Sequence, residues 1–199
     1  MGPGRRAVTV RLGPGQLRSA ARVLRRVGLR VEIHAEHPAP PPPRCGKHAG
    51  VVRLVRLRLS PRLPRGLVVV EGVSVEIEGL GDGDQRPAYV TPDLTVCPAG
   101  FLASDERLLH PQDVEIAVEV VTADATREQV VETVGRYAGA GVRALLVVDP
   151  RTDPGSWTLH TEPVAGNYWL TRPGRYGEPV SLTSLGGSLA TDRLPRYVP

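Results

Sequence analysis

The sequence predicts an α/β (α+β) fold, and three observations carry that expectation. Val114 to Val121 and Ala144 to Val148 are apolar runs of strand length on either side of an amphipathic segment that opens at Thr126. Gly66 to Glu78 and Ala88 to Cys97 form two strand-like arms about a Gly- and Asp-rich turn, the pattern of an antiparallel hairpin. Short strand-like stretches at Ser156–Thr161, Asn167–Thr171 and Glu178–Leu182 then make a hairpin-rich end.

Taken in order, residues 14 to 27 set Leu17, Ala20 or Ala21, Leu24 and Val27 on one side of a helix and Arg18, Arg22 and Arg25 on another. Pro14 suits the first turn and Gly28 the stop. Leu29 to Ile33 reads as a short strand carrying Glu32, and the prolines at 38 and 40 to 43 keep Pro38 to Arg44 extended. A second helix is predicted from Gly46 to Leu59, with Val51, Val52, Val55 and Leu59 on its buried side and Pro61 and Pro64 beyond its end. Gly66 to Glu78 follows as one strand bent at Gly72, and Ala88 to Cys97 pairs back on it, so Asp93 belongs to the returning arm. Pro98 to Asp113 reads as a loop with one helical turn. Thr126-Arg127-Glu128-Gln129 is a capping box, and Val130, Val134, Tyr137 and Ala138 give the helix behind it an apolar stripe closed by Gly141. Val114 to Val148 is therefore a strand, helix, strand unit with parallel strands and a right-handed crossover.

Composition bounds the function less tightly. A chain of 199 residues with a net charge of +4 is compatible with nucleic acid, acidic partners or plain solubility. Lys47 is its only lysine. Cys45 and Cys97 are too few for a disulfide framework or a cysteine zinc site. There is no run of eighteen apolar residues and no signal-peptide pattern before Arg11, so a soluble, cytoplasmic protein without membrane contact is expected. His34, His37 and His48 match no helical metal motif, the glycines at 79, 81 and 83 open no helix, and Asp82 and Asp84 lack the twelve-residue calcium pattern. The stripe Arg18, Arg22, Arg25, Arg26 reads either as a phosphate-binding face or as a solvated one. Trp157, Tyr168 and Trp169 read as seals of the core or of a subunit contact.

Two acids stand out against this background: Asp93 in Thr91-Pro92-Asp93-Leu94, and Glu119 in an otherwise apolar strand. If paired strands bring them together they form a minimal carboxylate site for a hard divalent cation, which takes oxygen from one or two acids and keeps several waters. Metal-dependent phosphodiester chemistry is then the first expectation. The alternative is that each acid marks a strand end in solvent.

Three stretches carry a resemblance to a known family: Pro92-Asp93-Leu94-Thr95-Val96-Cys97-Pro98, the strand Asp113 to Thr122 with Glu119, and Tyr137-Ala138-Gly139-Ala140-Gly141-Val142 running on to Asp149-Pro150. Together with Val31-Glu32-Ile33, the proline-rich link and His48, they resemble the Uma2 family (DUF820) of the PD-(D/E)XK nuclease superfamily, over about residues 28 to 182. The resemblance implies a restriction-endonuclease-like core, a mixed sheet flanked by helices, as one domain over 28–190 between a helical arm (1–27) and a tail (191–199). It implies Asp93, Glu119 and a backbone carbonyl at Val120 or Val121 as ligands of magnesium or manganese, Glu32 as an aid to the metal or the water, and His48 facing the same cleft. DNA is the implied partner, with Lys47 and His48 as candidate contacts.

The chain departs from the family pattern on the helix after the glutamate strand, where Gln129 and Thr133 occupy the usual Asp and Lys positions. Arg136, three residues on, is the candidate substitute cation, able to clamp charge but not to give up a proton. A weakened or inactive endonuclease, or a non-catalytic homodimer that holds nucleic acid or protein on the same fold, follows as the competing expectation.

Overall fold

A computed structural model describes residues 44–77 and 88–197, all within one contact unit, Pro42–Pro199. The expected helical arm, the Glu32 strand, the proline-rich link before Arg44 and the Gly79–Asp84 turn lie outside the described residues.

The strand, helix, strand unit expected around Thr126 is present and organises the sheet. β6 (Ile116–Val120) and β7 (Ala144–Asp149) are parallel neighbours joined by α2 (Arg127–Gly139). The capping box forms as the sequence requires: the Thr126 hydroxyl accepts the Gln129 N–H at 3.3 Å, and Gln129 Oε1 accepts the Thr126 N–H at 2.8 Å. Thr126→Ala removes one half of this reciprocal pair and is expected to cost about 1 kcal/mol in a denaturant melt.

Around that unit the sheet is mixed and six-stranded, in the order β1-β4-β6-β7-β8-β9. Its other members are β1 (Leu67–Glu71), β4 (Leu94–Pro98), β8 (Ser156–Val164) and β9 (Asn167–Arg175), each antiparallel to its neighbours. Alternation along the central strands builds two apolar layers. Leu94, Val96, Ile116, Val118, Leu146 and Val148 pack beneath α1 (Gly46–Leu59), whose Val51, Val55 and Leu59 are almost wholly buried. Ala117, Val121, Leu145 and Val147 pack beneath α2 with Tyr137 and Val134. Burial of each large aliphatic side chain is worth roughly 1.5–3 kcal/mol, so the two layers suffice to hold the helices to the sheet.

The first hairpin differs from expectation. Gly66 to Glu78 is not one bent strand: Gly72 turns at φ +64 and separates β1 from β2 (Ser74–Ile77). The returning arm breaks at the same level, at Thr91-Pro92-Asp93, between β3 (Ala88–Val90) and β4. The hairpin thus folds over a corner, with β1 and β4 in the main sheet and β2 and β3 in a second, three-stranded one. That smaller sheet is completed by β5 (Leu108–Leu109), parallel to β2, within the stretch expected to be loop.

At the other end β8 and β9 are longer than expected and pair as one long hairpin from Ser156–Arg175 to Val164–Asn167, while β10 (Val180–Leu182) pairs with β11 (Gly187–Leu189) in a separate ribbon over the α1 layer. Trp157 is buried, its indole N–H shared between the carbonyls of Arg175 and Glu178, and Tyr168 donates to the Val142 carbonyl. Trp169 does not seal the core: it is 80% exposed.

Candidate functional site

The corner in the first hairpin sets Asp93 at the end of β4, where the ladder to β6 runs out. Leu94 pairs with Val118, and two residues further the same register puts Pro92 opposite Val120. Proline has no N–H to give to a ladder. The Val120 N–H goes instead to the Asp93 side chain, donating to Oδ2 at 2.8 Å. Within a strand one residue's N–H and C=O leave by the same edge, so the Val120 carbonyl lies on the side of Asp93 with no N–H of Pro92 to bind it. The sequence Pro92-Asp93 therefore both ends the ladder and substitutes a carboxylate for it.

Asp93 is 2% exposed, and an ionised carboxylate at that depth needs compensation. Two cationic or proton-bearing groups from the start of α1 supply it. The Arg44 guanidinium stands 2.8 Å from Oδ1, and Nε2 of His48 stands 3.1 Å from the same oxygen. His48 is itself 2% exposed, one helical turn before Val51 and Val52 on the buried side of α1.

Glu119 precedes Val120 on β6 and points to the opposite layer, where the Tyr137 hydroxyl of α2 donates to Oε1 at 2.5 Å. Burial in the apolar layer and the negative charge of Asp93 push the Glu119 carboxyl up to about 8, against the opposing influence of the Tyr137 hydrogen bond and the Arg44 guanidinium. The same pairing, with burial, drives the Tyr137 hydroxyl well above the ordinary tyrosine range. The Asp93 charge, at the end of the neighbouring strand, is thus the second influence on Glu119 after burial.

The remaining expected residues are placed as follows. Lys47 is exposed, and its Nζ donates to the Tyr197 carbonyl at 3.2 Å. Arg136 does not join the acids: it is exposed and pairs with Glu132, one turn back on α2, at 2.6 Å. The physical reason is rotation, since Tyr137 occupies the face of α2 that meets Glu119 and its neighbour is turned roughly 100° away. Thr133 is partly buried and Gln129 is spent on the capping box. Glu32 lies outside the described residues.

Three participants were not expected from the sequence. Arg44 carried no signal beyond its place at the head of α1. Tyr137 stands in the apolar stripe and in a stretch that carries the family resemblance but has no site role in the sequence reading, although a buried tyrosine hydroxyl calls for a partner and Glu119 lies on the adjoining strand. Tyr197 arrives from the far end of the chain: its hydroxyl donates to the Val121 carbonyl at 2.8 Å and lies 3.1 Å from Nδ1 of His48. A cleft of about 230 Å³ opens beside these groups, lined by Arg44, Cys45, His48, Thr122–Asp124 and Tyr197. Asp149 and Arg151 pair at the end of β7, with the guanidinium forked on the carboxylate at 2.9 and 2.7 Å and bonded to the Ala125 carbonyl.

The donor chemistry fits a hard divalent cation. Asp93 and Glu119 offer carboxylate oxygens, and the Val120 carbonyl beside them a further one, the oxygen donors that such an ion takes. Among the described residues no group of three or more His, Cys, Asp or Glu side chains forms a metal cage, a requirement that a magnesium-type site with several waters does not have.

Comparison with known proteins agrees with this architecture. The crystal structure of a protein from Anabaena variabilis ATCC 29413, titled a putative nuclease belonging to DUF820, superposes with a TM-score of 0.50 at 16% identity, over 76% of this chain and 78% of that one. That likeness is one of fold. None of the curated proteins matches the chain. The sequence pattern of the Uma2 family, described as "Putative restriction endonuclease", matches residues 19–191, and the chain accordingly belongs to the Uma2 family.

Proposed function

We propose that the protein is a metal-dependent endonuclease that hydrolyses phosphodiester bonds of DNA. The observation that carries this reading is that Asp93 is hydrogen-bonded to Val120, the residue next to Glu119, and that its negative charge adds to burial in raising the Glu119 carboxyl to about 8. Family membership supports the same class of chemistry.

In this reading Asp93, Glu119 and the Val120 carbonyl hold magnesium or manganese, which when bound supplies a Lewis acid and lowers the pKa of water toward neutrality. Each protein group has a distinct task. His48 and the Val120 N–H fix the plane of the Asp93 carboxylate, and Tyr137 fixes that of Glu119. Arg44, half-exposed at the cleft, is the cation that neutralises Asp93 in the resting protein and is free to turn toward a phosphate once that charge is met otherwise. It takes over, in this reading, the electrostatic part of the missing lysine at Thr133, a part that Arg136 is too far turned to play. Arg44 and Lys47 offer the phosphate-facing positive charge at the mouth of the site. No helix among the described residues is long and apolar enough to cross a membrane.

Nicking of supercoiled plasmid in the presence of manganese tests the proposal. The unmodified protein is expected to convert the supercoiled form, and Glu119→Ala to lower the rate by roughly 10²-fold or more. Equal nicking by both would remove Glu119 from the chemistry. Retention of DNA by both without cleavage would transfer the function to the non-catalytic binding protein that Thr133 favours.

A further inference from the structure

The matched family stretch ends at residue 191, and the segment that runs on from there to residue 197 is packed beside the candidate site. Thr191 is buried and donates to the Glu178 carbonyl at 2.7 Å, and Leu194 is buried in the α1 layer. Pro195 lies against Gly50 of α1, where a Cβ would meet its ring at 3.2 Å, so the glycine leaves the space in which this segment crosses the helix. Arg196 pairs with Asp153. Tyr197 is held through its backbone on both sides, its N–H donating to the Pro150 carbonyl at 2.9 Å and its carbonyl accepting from Lys47. These anchors together bring one side chain, the Tyr197 phenol, to the end of β6.

Its hydroxyl has one proton, and the Val121 carbonyl can only accept it. The hydroxyl oxygen is then an acceptor for Nδ1–H of His48, 3.1 Å away, and in the imidazolium form, where both ring nitrogens donate, Nε2–H faces Asp93 Oδ1 at 3.1 Å. Asp93 Oδ2 in turn accepts the Val120 N–H. The hydrogen bonds close a ring from the Val121 carbonyl through Tyr197, His48 and Asp93 back to the peptide of Val120, one residue from its start. Rotation of any one member breaks the bonds of its neighbours.

We propose that Tyr197 is a positioning residue of the active site: it fixes the His48 ring, and through it the orientation in which Asp93 offers its carboxylate to a divalent cation. The proposal rests on the reading of Asp93 as a cation ligand. Outer partners of metal ligands typically contribute about 10- to 100-fold to affinity, and a partner acting through one intervening side chain belongs at the lower end of that range.

The test compares the unmodified protein with Tyr197→Phe, which removes only the hydroxyl, and Tyr197→Ala, which also removes the ring. Manganese affinity is measured by calorimetry, and the His48 ring nitrogens are followed by ¹⁵N–¹H correlation without metal. Tyr197→Phe is expected to weaken manganese binding about tenfold and to displace the Nδ1–H signal of His48. Unchanged manganese affinity in Tyr197→Phe overturns the proposal, even where Tyr197→Ala fails to fold, because the segment would then serve packing alone. If the unmodified protein takes up no manganese, the metal reading itself fails, and the His48 signal decides the rest: displaced in Tyr197→Phe, it keeps the tyrosine as the residue that positions the histidine, and unmoved, it removes that role.

Discussion

Glu119→Gln is expected to stabilise the metal-free protein strongly at about pH 9 and hardly at all at pH 4.5 or below. The sign follows from linkage. The folded-state value of Glu119, about 8, lies above its ordinary value of 4.5, so the protonated form is the one the fold prefers. Its contribution to stability is fully present below pH 4.5 and is lost as the pH rises through 8. A neutral amide never ionises, keeps an oxygen for the Tyr137 hydroxyl and escapes the penalty. The full difference would be worth about 5 kcal/mol; discounted for the coupling to Asp93 and the partial exposure of Glu119, the gain above pH 8 is on the order of 2–3 kcal/mol, a rise in thermal midpoint of roughly 5–10 °C. Thermal melts of the two proteins across pH 4 to 9 with a chelator present measure it. Parallel curves would show that Glu119 ionises freely. Manganese should close the gap from the other side, stabilising the unmodified protein at pH 8 to 9 and releasing close to one proton per ion at neutral pH.

Asp93→Ala is expected to have the opposite effect on stability and the largest effect on binding. The substitution strands three partners at once: the Val120 N–H, the buried His48 ring and the Arg44 guanidinium. Removing one member of a buried ionic pair costs about 3–5 kcal/mol, and relief of the repulsion on Glu119 returns part of that. Urea unfolding near pH 7 should therefore show a net loss of at least about 2 kcal/mol, and calorimetric titration with manganese should give no binding heat. A loss below about 0.5 kcal/mol, the scale of a neutral surface change, would mean that the network around Asp93 is not formed in solution.

The parts of this structure legible in the sequence are those written in local periodicity. α1 begins and ends at Gly46 and Leu59 as its valine spacing and flanking prolines require, and the capping box at Thr126 fixes the start of α2. Both acids were visible as charges in apolar surroundings, and the family resemblance supplied a reason to pair them. The corner at Gly72 and Pro92 was not legible, since one strand bent and two strands in different sheets leave the same alternation in the residues. Nor was the two-residue strand β5, too short to show any period. Arg136 was chosen by proximity along the helix, a criterion blind to which face meets the sheet. Arg44 and Tyr197 escaped for a different reason: their partners lie 49 and 149 residues away, at Asp93 and His48, and no local pattern encodes a contact at that distance.

That difference in reach divides the site by history as well as by position. Glu119 and Tyr137, 18 residues apart, belong to a single strand and helix and meet with little loop to close. The Asp93, His48 and Tyr197 half must draw together chain segments separated by 45 and 149 residues. Contacts of long sequence separation form late and open first when a domain loosens. The glutamate half would thus stand ready before its aspartate counterpart arrives, and the full grip on a cation would come only once residue 197 is seated.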